Sequence, residues 1–226
     1  MSYLRDVVIV LKKEPFREQD RRYVMYGKEY GLLSAVARGA SLRTSKQAGH
    51  LEPFTESDIM IAEGSVFDKL AVAHQINAAT DCPRTLAGLS VCGAFSDLLL
   101  NLIRPGVSDA RIFLLLRELI QTVAHLSQEL SSERTRLLFA AAALQLLDIL
   151  GFGPPITAPA SARNLTTPVP SLVLLSFIRR SSLIDVLRVT VSVEVLRQVC
   201  VFVEDALRNT SLQEEPKGLK MLRSLV

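Results

Sequence analysis

The chain has 226 residues, a formal charge of +3, 49% hydrophobic and 22% charged residues, which is ample material for a folded core and excludes an intrinsically disordered protein. That length is large for one domain and comfortable for two. The net charge alone does not define a polyanion partner, but its distribution is uneven. From Leu4 to His50 there are ten Lys/Arg against five Asp/Glu, while Leu51 to Asp68 holds five acids and no base. A locally basic face on a nearly neutral protein suits a directed electrostatic contact, with a solvated mixed-charge surface as the bland alternative.

Up to about Asn77 the predicted elements are short and β-rich. A Val/Ile run from Leu4 to Leu11 ends at Lys12-Lys13-Glu14-Pro15. Arg22 to Tyr26 is a second strand, stopped by Gly27, and Leu33 to Ala37 a third, followed by Gly39. A fourth begins at Asp58 to Ala62, and Gly64 separates it from a fifth around Val66 to Ala73. Five short strands bounded by Gly or Pro predict a small barrel, with the OB-fold and SH3-like barrels both compatible.

After Asp81 the period becomes helical. Thr85 to Ile103 stops before Arg104-Pro105-Gly106, a strong breaker. Ser108 or Asp109 caps a second helix, in which Ile112, Leu115, Leu116, Leu119, Ile120 and Val123 share one face. Ser131 or Ser132 caps a third, ending at Gly151. Gly153 to Pro170, rich in Pro, Ala, Thr and Ser, reads as a loop. Helical signal returns from Ser171 to Val189. Ser192 then caps a segment with Val195, Leu196, Val199, Val203 and Leu207 on one face, and a basic tail runs from Lys217 to Val226. The fold class expected is α+β and multi-domain, with an N-terminal OB-fold β-barrel over 1–78 and an all-α helical domain over 79–226.

Catalytic and metal motifs are sparse. Cys82, Cys92 and Cys200 are widely spaced, without C-x-x-C, which argues against a disulfide framework or zinc knuckle and suits a reducing cytosol. His50, His74 and His125 lack a Cys or carboxylate partner at ligand spacing, and neither a P-loop nor G-x-S-x-G occurs. Gly31, Gly39 and Gly49 are read as backbone turns. No signal peptide is recognised at the N-terminus, and the apolar stretches Leu86–Ile103 and Leu137–Leu150 contain Asp97, Asn101, Gln145 and Asp148, so no membrane contact is expected. Neither enzymatic turnover nor a cofactor is expected.

Several segments together resemble the RecO family of bacterial recombination mediators. They are Val7-Val8-Ile9-Val10-Leu11-Lys12, Glu18-Gln19-Asp20-Arg21, and the block from Tyr30-Gly31-Leu32-Leu33 to Arg38-Gly39-Ala40, which is the most specific. Leu51-Glu52-Pro53-Phe54, Leu150-Gly151-Phe152 and Leu219-Lys220-Met221-Leu222-Arg223-Ser224-Leu225 follow in the family's order. The resemblance implies an OB-fold with a helical C-terminal domain. It also implies binding to single- and double-stranded DNA, annealing of complementary strands, and partnership with RecR and with the single-stranded-DNA-binding protein through its acidic C-terminal tail. RecA loading would follow indirectly, in the cytoplasm at the nucleoid. Many members carry a four-cysteine zinc module after the Leu-Gly-Phe helix end. Here Gly153 to Pro170 has neither Cys nor His, so the resemblance implies a zinc-free variant.

Phosphate contacts are assigned to Arg38, Arg43 and Lys46 after the third strand, with Arg17, Arg21, Arg22 and Lys28 on the adjacent hairpin. Phe16, Tyr23, Tyr26 and Tyr30 are candidate base-stacking platforms, with barrel-core or strand-edge packing as the alternative. Glu18 and Asp20 are positioned to pair with neighbouring arginines. The loop after Gly39-Ala40 is less basic than is typical of the family, which motivates a competing role as a non-catalytic protein-interaction scaffold with weak or lost DNA binding. An RNA-binding OB protein is a third reading.

Overall fold

The computed structural model describes residues 2–43, 45, 48–78, 85–126, 130–156 and 169–210. Five strands come first: β1 (Tyr3–Pro15), β2 (Arg21–Gly27), β3 (Gly31–Ala37), β4 (Thr55–Ala62) and β5 (Lys69–Ala78). Six helices follow: α1 (Leu86–Leu102), α2 (Ala110–Leu126), α3 (Ser132–Ile149), α4 (Val169–Ile178), α5 (Leu183–Arg188) and α6 (Val193–Asn209). The chain divides into two compact units. Unit 1 comprises Met1–Cys82 with Ile103–Ile120, and unit 2 comprises Pro83–Leu102 with Gln121–Val226.

In unit 1 the strands form a barrel-like ring in the order β1-β2-β3-β5-β4. All neighbours are antiparallel except β3 and β5, which run parallel and meet at Val36 and Lys69. This five-stranded ring is the architecture of an OB-fold. Strand period places Val8, Val10, Tyr23, Met25, Ala35, Ala37, Ile59 and Ile61 together inside the ring.

β1 runs through Lys12-Lys13-Glu14-Pro15 rather than ending at Leu11. Its first part pairs with β4 and its last part with β2, with a register shift between Val10 and Lys12. The shift lets one long strand bend around the ring and serve two neighbours. Likewise β5 begins at Lys69, three residues later than its apolar pattern predicts, because Ser65–Phe67 are spent on the bend after β4.

A second layer covers part of the barrel's outside. Tyr26, Ile9 and Glu56 are cross-strand neighbours on β2, β1 and β4, and all three are buried. The Tyr26 hydroxyl meets the backbone at Asp109, with O···O and N···O separations of 3.3 and 3.2 Å. Two turns further along α2, Arg117 forms an ion pair with Glu56 while stacking 4.9 Å over the Phe113 ring. The helix therefore lies across the strands, fixed at both ends of one cross-strand row. Removing Arg117 would strand a buried carboxylate, at a cost of about 3 kcal/mol. Of the two capping residues the sequence allows, Asp109 caps α2: its carboxylate accepts the Arg111 amide at 2.8 Å and its carbonyl the Ile112 amide at 3.0 Å.

Two close approaches hold the β2–β3 turn. Gly31 has φ +66°, and a Cβ there would stand 2.2 Å from the Val107 carbonyl oxygen. The buried Asp6 carboxylate accepts the Tyr30 amide at 3.0 Å and the Glu29 amide at 3.2 Å. Burial pushes the Asp6 carboxyl above its ordinary range, against the pull of those amides.

In unit 2, α3 is the central helix, buried almost continuously from Leu137 to Leu147 and in contact with α1, α4, α5 and α6. Ser131, not Ser132, is its N-cap, accepting the Arg134 amide. Gly151 (φ 80°) ends it: the Gly151 amide reaches the Asp148 carbonyl and the Phe152 amide the Leu147 carbonyl. The helical signal over Ser171–Val189 is divided between α4 and α5. Ser182 caps the second piece by accepting the Asp185 amide, and Gln145 donates to the carbonyls of Ile178 and Ser181 at 2.7 and 2.9 Å, satisfying the break. Ser192 caps α6, whose buried face carries Leu196, Val199, Cys200, Val203 and Leu207. The 157–168 part of the predicted Gly153–Pro170 loop and the predicted basic tail lie outside the described residues. No described helix is long and apolar enough to cross a membrane.

Gly31→Ala should lose about 2–4 kcal/mol of stability to denaturant, combining a left-handed backbone with overlap against Val107. Gly49→Ala, at a glycine with nothing within 4 Å of its would-be Cβ, should stay near neutral; equal effects would refute the close approach. Because the folded value for Asp6 lies above the unfolded value near 3.8, its stabilising share is complete below pH 3.8 and is lost as pH rises through the folded value. Stability curves from pH 3 to 7 should therefore show Asp6→Asn gaining on the native protein as pH rises; a flat or opposite difference contradicts this. Burial pushes the Cys200 thiol up to about 11, so mass mapping after thiol labelling at pH 8 should find Cys200 unmodified until the protein is unfolded. Rapid native labelling there would contradict the packing of α6.

Candidate nucleic-acid interface

Three connections of unit 1 meet at one end of the ring. The β1–β2 loop (16–20) and the segment after β3 are tied by the Gly39 amide donating to Asp20 Oδ1 at 2.9 Å and the Ser41 amide donating to the Gln19 carbonyl at 3.0 Å. The β4–β5 loop joins them through the Val36 amide on the Asp68 carbonyl at 2.9 Å. Each tie joins segments far apart in sequence, so the cluster follows from the strand order. In OB-folds this combination of the first and last of these loops with the β2–β3 face serves oligonucleotide binding.

The predicted cations divide between the two ends of β2. Arg17 lies in the first loop with φ 57°. Arg22 is the second residue of β2, on the outer face, opposite Val36, which in turn faces Lys69 across the parallel seam. Arg38 and Arg43 are exposed just beyond β3, within the tied segment. Arg21 neighbours Arg22 in sequence but points the other way, since alternation places it in line with the interior Tyr23 and Met25. Lys28 is in the β2–β3 turn, roughly 20 Å along the strand from Arg22 at about 3.3 Å per residue. It belongs to the opposite end. Lys46 lies outside the described residues.

Five other cations of the unit are paired with carboxylates. Arg5 pairs with Asp58, Lys12 with Glu14, Lys13 with Glu52, Arg111 with Asp109 and Arg117 with Glu56. Among the described residues, no carboxylate forms an ion pair with Arg17, Arg22, Arg38 or Arg43. Two nearby acids are engaged by backbone instead: Asp20 accepts from Gly39, and Asp68 Oδ1 accepts the Gly64 amide at 3.1 Å. Of the two acids that the sequence offered as partners, neither Glu18 nor Asp20 forms an ion pair with an arginine among the described residues.

Two of the candidate stacking residues are corrected. Tyr23 and Tyr26 are both fully buried, the first inside the ring and the second under α2, so neither offers a face to a base. Tyr30 is 47% exposed but sits with Lys28 at the far end. Phe16 remains at the loop cluster, joined by Phe67, which sequence reasoning assigned to strand five. Their centroids are 5.3 Å apart at 67°, with Arg17 and Arg22 over the rings. Phe67 is the missed residue; its one signal is a position beside Asp68-Lys69 at the end of an acidic, Gly-containing turn. Among the described residues no three His, Cys, Asp or Glu side chains gather to hold a metal ion.

Residues 1–79 match the family model for the recombination protein O N terminal region. A protein named DNA repair protein RecO from Synechococcus sp. (strain JA-3-3Ab) is 28% identical over 159 residues, covering 66% of this chain and 52% of that protein. One of the same name from Thermoanaerobacter sp. (strain X514) is 25% identical over 156 residues, covering 69% and 61%. Another, from Bifidobacterium longum subsp. infantis, is 36% identical over 78 residues, 34% of this chain and 33% of its own. The chain spans about half the length of the curated relatives it matches first. Over its amino-terminal 79 residues, about a third of its length, the chain is similar to the RecO family.

Proposed function

We propose that unit 1 binds the phosphate backbone of single- and double-stranded DNA through Arg17, Arg22, Arg38 and Arg43. On this reading the chain acts in DNA repair and recombination as a non-catalytic mediator at the nucleoid. It holds complementary strands for annealing, and with RecR it helps RecA onto DNA covered by the single-stranded-DNA-binding protein. The observation that supports it is a grouping: Arg17, Arg22, Arg38 and Arg43 lie at or beside the tied loops, and none of them forms an ion pair among the described residues, whereas Arg5, Arg111 and Arg117 are matched to carboxylates. Each unpaired guanidinium placed against a phosphate releases counterions condensed on the nucleic acid, and that release provides the driving force. Two strands brought to one positive surface lose part of their mutual repulsion, which is the physical requirement for annealing without ATP.

A scaffold role remains the competing reading, favoured by the loop after Gly39, where Arg43 is the one described cation in the stretch 39–50. Fluorescence anisotropy separates the two. With a labelled single strand, log K against log salt should fall with a slope of roughly −3, given about −0.7 per phosphate contact. Replacing Arg17, Arg22, Arg38 and Arg43 together by Ala should reduce affinity at least tenfold and flatten that slope. Lys13→Ala, which removes an already paired cation, should change neither. No binding at micromolar protein in low salt favours the scaffold; unchanged binding by the fourfold variant removes the assigned site.

A further inference from the structure

The phosphate reading leaves two side chains of the loop cluster without a role. Phe16 opens the β1–β2 loop and Phe67 closes the bend before β5; both are partly exposed although they form an edge-to-face pair. Such a pair supplies its full packing value when buried, and here it stands at the protein's surface among unpaired cations. The Arg17 guanidinium lies 5.4 Å from the Phe16 centroid and 5.2 Å from the Phe67 centroid, and Arg22 lies 4.8 Å from Phe16.

Arg17 holds this position with φ 57°, a left-handed conformation that costs a non-glycine residue free energy and points to a functional constraint. No ion pair or hydrogen bond of the Arg17 side chain explains it among the described residues. What the conformation does secure is a planar cation laid over two aromatic rings. A nucleobase is likewise planar and π-bearing, and stacking of a base on an aromatic ring is a stronger contact than an exposed cation–π pair.

We propose that Phe16 and Phe67 form a stacking platform for unpaired bases, with Arg17 as its displaceable cover. The inference rests on the phosphate-binding reading and names the ligand class of the same site: single-stranded polynucleotide, engaged through its bases as well as its backbone. An incoming base takes the ring face that Arg17 occupies, and the released guanidinium, on a flexible exposed side chain, moves to the adjoining phosphate. Bases within a duplex are already stacked on one another and do not reach the rings, so duplex is held by the phosphate contacts alone.

The test compares a 20-nucleotide oligothymidylate with an abasic 20-mer of the same backbone charge, by anisotropy at one salt concentration. The native protein should bind the base-bearing strand about tenfold more tightly. Phe16→Leu and Phe67→Leu keep apolar bulk between the loops and remove the π-face. Each should lower affinity for oligothymidylate toward the abasic value while leaving abasic binding and the salt slope unchanged, which also certifies that the variants are folded. Equal native affinities for the two oligonucleotides, or Leu variants that keep the native preference, overturn the platform while the phosphate reading stands. Binding of neither oligonucleotide overturns both.

Discussion

β3 and β5 run parallel and meet at one backbone pair, Val36 with Lys69, and this seam decides where the rest of unit 1 lies. Without it the strands would form an open sheet with two edges and loops at unrelated places. With it the ring closes, and the first, third and fourth connections come to a common end, where Asp20, Gln19 and Asp68 tie them through backbone amides. Those acceptors fix loop conformation, and the carboxylates of Asp20 and Asp68 are engaged by the Gly39 and Gly64 amides rather than by arginines.

The electrostatic pattern of the unit follows from that division. Where the barrel's outside must be covered, charge is matched: Glu56 is buried and answered by Arg117, so α2 is held on the strands without an orphaned carboxylate. Across the exposed outer face, Arg5 and Asp58 form a similar two-contact pair. At the loop end four arginines have no carboxylate partner among the described residues. A surface salt bridge contributes little to stability, so leaving Arg17, Arg22, Arg38 and Arg43 unpaired costs the fold almost nothing while keeping a positive surface open to polyanions. Helices of unit 2 follow a different logic, with the run Phe139–Leu144 wholly buried and four neighbouring helices in contact with α3.

Much of this was legible from residue patterns. Alternation and Gly/Pro breaks marked the five strands, and the caps at Ser131, Ser192 and Asp109 followed from side-chain chemistry. The misses have identifiable causes. Tyr26 lies on the same outer face as Arg22, but it is buried by a helix more than eighty residues away, which no local pattern encodes. Arg21 and Arg22 were grouped by adjacency, whereas strand period separates them onto opposite faces. Lys28 was grouped by charge, although a full strand intervenes. The break between α4 and α5 did carry a local sign, Ser182 three residues before Asp185, hidden by the apolar residues on either side. Phe67 and Phe16 could be joined only by the ring itself.

The most direct test of the central claim, that the loop end of the barrel is the polyanion-binding face, is a titration of isotope-labelled protein with oligothymidylate followed by amide chemical shifts. The account predicts shifts concentrated in residues 16–22, 38–43 and 63–69, with the Lys28–Tyr30 turn and the α6 helix unmoved. Shifts centred on Lys28 and Tyr30, or confined to the helices of unit 2, would contradict it.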